Sequence, residues 1–213
     1  MNIILPFLSG FIAALVGVLP PGLINMTAAK VSLIDGKKRA MMFVLGAIII
    51  VFLQTYIAVI FAKYIDHHKE VVILLREIGL FIFLALTIYF LKFAKKPKFK
   101  NDEDVKIKSK RSRFFMGMVI SAINFFPIPY YALVAITLAS YNVFEYETPS
   151  IYSLVSGIAT GSFAVFYFYV VFFNKMKSKT EYFITNMNKI LGAITGLITL
   201  LALFNVIKYY FNK

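Results

Sequence analysis

The sequence predicts an all-α integral membrane protein: six transmembrane helices forming two inverted three-helix repeats, with the first and fourth helices broken. Three observations predict it. The composition is 60% hydrophobic and only 15% charged, where a soluble domain carries about a quarter charged residues. Two proline-containing interruptions fall inside apolar segments, one half-chain apart. The basic residues collect in alternate connections rather than along the whole chain.

The first span, about residues 3–20, is apolar from Ile3 and has no Lys or Arg before Lys30. It lacks the basic leader of a cleaved signal peptide and reads as a retained span. It is interrupted by Gly17-Val18-Leu19-Pro20-Pro21-Gly22. Two prolines remove two backbone donors and clash with the preceding turn, while Gly22 permits conformations costly for other residues. In hydrocarbon such a break needs partners for the freed carbonyls, from protein or from cavity water. Leu23 to Ile34 then reads as a half-helix made more polar by Asn25, Thr27, Lys30 and Ser32.

Spans at about 41–62 and 71–91 follow, each near the roughly 20 residues a bilayer needs. The fourth runs over about 114–140 and repeats the interruption. Phe7, Gly10 and Pro20 recur at an offset of 107 residues as Phe114, Gly117 and Pro127, with Pro129 where Gly22 stood. The 13 residues from Phe114 to Phe126 give roughly 20 Å of helix, placing Pro127 beyond the middle of a core of about 30 Å. Tyr130 to Tyr141 reads as the second half-helix. Spans at about 150–173 and 190–207 complete the set. The organisation expected is a first membrane repeat at residues 1–91, a basic linker at 92–113 and a second repeat at 114–213.

The segments 23–40, 92–113 and 174–189 lie on one side of this arrangement and hold 18 of the 23 Lys and Arg. The positive-inside rule places them in the cytoplasm, with both termini outside. Three spans per repeat make the halves inverted, as in many secondary transporters. The net charge of +13 does not point to nucleic acid, since 10 of the 23 basic residues fall between Lys92 and Arg113. That linker has little to bury and is expected to be disordered against anionic lipid headgroups; a regulatory or partner-binding role is the other reading.

Zero cysteines exclude disulfides, thiolate catalysis and cysteine-based metal or redox sites. No nucleophile, histidine and acid are brought together inside the spans, so no enzyme is expected, and no cofactor or metal. His67-His68 match no ligand spacing and read as solvated loop residues. No nucleotide-binding motif is present, which leaves an ion gradient as the driving force.

The stretch from Pro20 to Gly46 resembles the LysE-type family of small amino-acid exporters. That family carries a Pro-Gly-Pro break in its first span, a glycine followed by basic residues about fifteen positions on, and a glycine in the second span. Here these are Pro21-Gly22-Leu23, Gly36-Lys37-Lys38-Arg39 and Gly46, and Asn124-Phe125-Phe126-Pro127 is similar to the family's Asn-Pro motif in the fourth span. The chain departs from the pattern in Leu23, in the extra Pro20, in Ile24 where an acidic residue is common, and in the two residues between Asn124 and Pro127. The resemblance implies export of an amino acid or similar small solute across the bacterial cytoplasmic membrane.

Candidate substrate-binding residues cluster at the two breaks: Pro20, Pro21, Gly22, Asn25 and Thr27 at the first, Asn124, Pro127 and Pro129 at the second, with Gln54 on the second span. Asn25 and Thr27 follow a new helix start, whose free N–H groups suit an anion such as a carboxylate; Asn25 could equally bond the freed carbonyls. Gln54 could line a path or join neighbouring helices. Asn124 has the same two readings as Asn25. Lys30 and Glu77 are the candidates for a coupling ion, Lys30 alternatively snorkelling to headgroups beside a solvated Asp35 and Lys37, and Glu77 pairing with Arg76. Gly157 with Gly161, and Gly192 with Gly196, are small-residue pairs for close packing, within the bundle or in a homodimer. A membrane scaffold or assembly protein is the alternative class, and within transporters a metal-ion or lipid exporter.

Overall fold

In the computed structural model, the described residues are 3–66 apart from Pro21, 80–93 apart from Ile82, Phe83 and Leu86, 108–175, and isolated positions between Lys189 and Phe211. They are helical apart from the breaks and short connections, with no strand among them. Six helices are α1 (Ile4–Val18), α2 (Leu23–Asp35), α3 (Lys37–Asp66), α4 (Lys110–Ile123), α5 (Pro127–Ser140) and α6 (Thr148–Lys175). Two of them, α3 and α6, are long and apolar enough to cross a membrane alone. The pairs α1 with α2 and α4 with α5 qualify as broken spans, bent by 75° and 65°. The chain divides into two compact units, and all six helices except the last turn of α3 belong to the first.

The side-chain distribution explains why these helices suit lipid. On α1 the buried positions are Pro6, Gly10 and Ala14, while Leu5, Leu8, Ile12, Val16 and Leu19 form an exposed stripe at helical spacing. On α3 the exposed stripe is Leu45, Ile49, Leu53, Ile57 and Ile60. On α1, large apolar groups outside and small ones inside suit a bilayer, where helices gain by close approach rather than by escaping water. The interior of the unit joins Ile24, Ala28 and Val31 of α2, Phe43, Val44, Ala47 and Val51 of α3, and Phe166 and Val170 of α6.

One helix crossing occurs twice. Gly10 of α1 lies against the Leu154 carbonyl of α6, and Gly157 of α6 against the Phe7 carbonyl of α1. In its second occurrence, Gly117 of α4 lies against the Phe43 carbonyl of α3, and Gly46 of α3 against the Phe114 carbonyl. An added Cβ at any of the four would overlap a backbone oxygen, so backbone approach rather than side-chain packing sets these crossings. Each first half-helix thus packs on the long helix of the opposite half.

Several boundaries differ from the sequence expectation. The half-helix expected over Leu23 to Ile34 is present as α2, but it joins α3 through Gly36 alone, whose φ of 85° is a left-handed value that glycine adopts without strain, and α3 starts at Lys37 rather than near residue 41. The fourth span starts at Lys110, four residues early, because Ser109 caps it: its Oγ accepts from the Ser112 N–H at 3.1 Å. Most of the linker, His67-His68 and Arg76-Glu77 lie outside the described residues.

In the second unit, the described positions of residues 80–93 are helical and end in a π-helical turn, Tyr89–Phe93. Thr87 and Thr199 share a hydroxyl hydrogen bond of 3.2 Å. Gly192 abuts the Leu91 side chain and Gly196 faces Thr87, so this small-residue pair is used inside the chain. Gly157 and Gly161 are likewise occupied, by Phe7 and Phe11.

Candidate functional site at the two helix breaks

At the first break the chain leaves α1 at Leu19 and enters α2 through Gly22, which is extended at φ −115° and ψ −177°. Proline chemistry and a new helix start leave the last carbonyls of α1 without helical partners. Protein donors supply them. Asn25, buried on the first turn of α2, donates from Nδ2 to the Val18 carbonyl at 2.5 Å and the Pro20 carbonyl at 2.9 Å. Tyr169 of α6 donates its hydroxyl to the Leu19 carbonyl at 2.7 Å. Both amide hydrogens of Asn25 are therefore engaged, and the residue holds the break.

At the second break α4 ends at Ile123 and Pro127 opens α5, its missing N–H being harmless at that position. Gln54 of α3 donates from Nε2 to the Ser121 carbonyl at 3.1 Å and the Asn124 carbonyl at 3.0 Å. Unlike the first break, this one retains unused polar atoms: Gln54 Oε1 and Ser121 Oγ are both buried without a hydrogen-bond partner. Asn124, whose carbonyl Gln54 holds, is half-buried. Tyr130 of α5 reaches from this break to the first broken span, where its ring covers Gly17 and its hydroxyl donates to the Ala13 carbonyl at 2.9 Å.

The two broken pairs also meet at the basic end of the unit. Arg113 in the first turn of α4 donates from Nε to Asp35 Oδ2 at the end of α2, and both side chains are buried. Arg39 adds a bond from Nη1 to the Asp35 carbonyl at 3.2 Å. Lys37 reaches Tyr167 of α6 at 3.2 Å. The expectation of a solvated Asp35 is corrected: burial without a cation would be prohibitive, and Arg113 supplies one. At the opposite end, Lys63 donates to the Tyr146 carbonyl at 3.0 Å, and Ser153 bonds the Ile3 carbonyl.

The other candidates are placed as follows. Thr27 returns its hydroxyl to the Leu23 carbonyl of its own helix at 2.7 Å. Lys30 is exposed on α2, and Pro20 and Pro127 are half-buried while Pro129 is exposed. Pro21 and Glu77 lie outside the described residues. Sequence reasoning missed Ser121, Tyr130, Tyr169 and the Asp35–Arg113 pair. Ser121 carried a usable signal, lying one turn after Gly117 and so on the face that packs against α3. Among the described residues no three His, Asp or Glu side chains are grouped to hold a metal.

These bonds predict distinct mutant behaviour. Asn25→Ala should lower thermal stability by about 1–3 kcal/mol, because it strands two buried carbonyls. Solute affinity of the protein that remains folded should be unchanged. Paired melting and binding measurements on the purified variant check this, and an affinity loss without a stability loss would assign Asn25 to the solute.

No match was found among curated proteins or solved structures. The profile of the LysE type translocator family matches residues 15–207 of the 213, a stretch that contains both breaks, the glycine crossing of α3 with α4 and the buried ion pair. The chain is therefore an integral membrane protein that belongs to the LysE type translocator family.

Proposed function

We propose that the chain is a secondary exporter of a small polar solute, most simply an amino acid, working by alternating access in the bacterial cytoplasmic membrane. The observation that carries this reading is the pair of bent, broken spans held within one compact unit by a crossing that recurs in both halves. Interrupted helices at corresponding places of two repeats are where transporters build solute sites, since broken backbone at membrane depth survives only when buried in protein or lining a cavity. Six spans in two inverted repeats, joined by the 92–113 linker, account for the recurrence. The exchanged partners of the crossing, α1 on α6 and α4 on α3, give the halves a common surface over which to rock.

Within this reading the first turn of α2 offers positive helix-dipole potential to a carboxylate. The half-buried Asn124 amide has a donor and an acceptor to offer at the other break. Membrane lipids surround the exposed apolar stripes and meet the basic segments at 37–39 and 108–111. An ion gradient, by default of protons, drives export.

Efflux from cells expressing the chain, across a panel of amino acids and divalent metals, tests the assignment. Export of an amino acid is expected, and export of metals alone would move the chain to another transporter class. Orientation has its own test. Reporter fusions at Lys108 and Lys213 should report opposite compartments, cytoplasmic and external. The same compartment for both would remove the six-span arrangement.

A further inference from the structure

The two breaks are chemically unequal. At the first, protein donors engage the Val18, Leu19 and Pro20 carbonyls. At the second, a single amide group is bound by two carbonyls, and this fixes its orientation. Because Gln54 faces the Ser121 and Asn124 oxygens, only its nitrogen can point that way, since the reversed amide would set oxygen against oxygen. Gln54 Oε1 is thereby turned elsewhere, buried at 6% residue exposure with no donor. Ser121 Oγ is in the same condition at 0% exposure. The Asn124 side chain, on the residue whose carbonyl Gln54 holds, adds a third uncharged oxygen.

These oxygens lie at the C-terminal end of α4, where the helix dipole places partial negative charge. An unpaired amide oxygen, beside a hydroxyl and an amide whose own hydrogens can turn aside, fits at a negative helix end a ligand that donates or carries positive charge. The named side chains carry no formal charge, which favours one positive charge over two. We propose that the second break is a subsite for a monovalent cationic group, a sodium ion or the ammonium end of an amino acid, held by Gln54 Oε1, Ser121 Oγ and Asn124 Oδ1. The ammonium arm rests on the exporter reading; the sodium arm does not.

The test is thermal melting of the purified full chain in choline chloride, replaced at constant ionic strength by sodium chloride or methylammonium chloride. A saturable rise in Tm with sodium identifies an ion site; a rise with methylammonium and not sodium identifies the ammonium end of a solute. Ser121→Ala and Asn124→Ala should each raise the half-saturating concentration about ten- to a hundred-fold, the value of a hydrogen bond to a charged group. Gln54 is left intact because it also holds the break, and Ser121→Ala is small enough for its helix crossing. No saturable shift with either cation, or shifts unchanged in both variants, overturns the subsite and leaves the oxygens to water. Amino-acid efflux measured in parallel separates the readings. Efflux without a cation shift removes the subsite and keeps the exporter; a sodium shift without efflux does the reverse.

Discussion

Asp35→Ala and Arg113→Ala should each destabilise the purified chain by about 3–5 kcal/mol, the cost of stranding one buried charge when its partner is removed. The pair bridges the end of α2 and the first turn of α4 with both side chains buried, so neither survivor can reach water without local opening. The double variant Asp35→Leu/Arg113→Met should recover most of the loss, because a matched apolar pair needs no desolvation of charge. Reversible unfolding in mixed detergent micelles measures all three. Single variants as stable as the wild type would show that the pair is hydrated; a double variant worse than either single would show that these two charges are needed beyond neutralising each other.

Gly46→Val and Gly117→Val should be damaging for a different reason, and Gly10→Val and Gly157→Val should match them. Each new side chain would start inside van der Waals contact with a carbonyl of the facing helix, so helices must separate; overpacking of this kind costs about 1–3 kcal/mol or more. Gly22→Ala is the control, with the nearest atom to its added Cβ at 3.9 Å. The yield of monodisperse protein and its melting temperature should fall for the four crossing variants and hold for Gly22→Ala. Damage at one crossing only would break the equivalence of the two halves.

The breaks were legible in the sequence because proline acts locally: Pro20 and Pro127 interrupt their helices whatever lies around them. The first arm of the repeated crossing was legible too, as Phe7 and Gly10 recurring in Phe114 and Gly117. Its second arm, Phe43 and Gly46 against Leu154 and Gly157, was hidden by an offset of 111 rather than 107 residues. Long-range partners were not legible. Gln54 showed a polar group on an apolar span, but its carbonyls lie 67 and 70 positions away. Arg113 was concealed as one of 10 basic residues in a linker, and its burial depends on a Ser109 cap that pulls the helix start back to Lys110. The sequence leaves Asn25 two roles, and only the direction of its Nδ2 bonds separates holding the break from presenting donors.

The central claim is that two paired breaks form one route for a small polar solute. The most direct measurement is amino-acid efflux from liposomes containing only the purified chain, with Asn124→Ala alongside. The wild type should export at least one amino acid under an imposed ion gradient, and Asn124→Ala should need about ten- to a hundred-fold more solute at an unchanged melting temperature. A correctly folded chain that moves none of the panel, or an Asn124→Ala variant that exports as the wild type does, would contradict it.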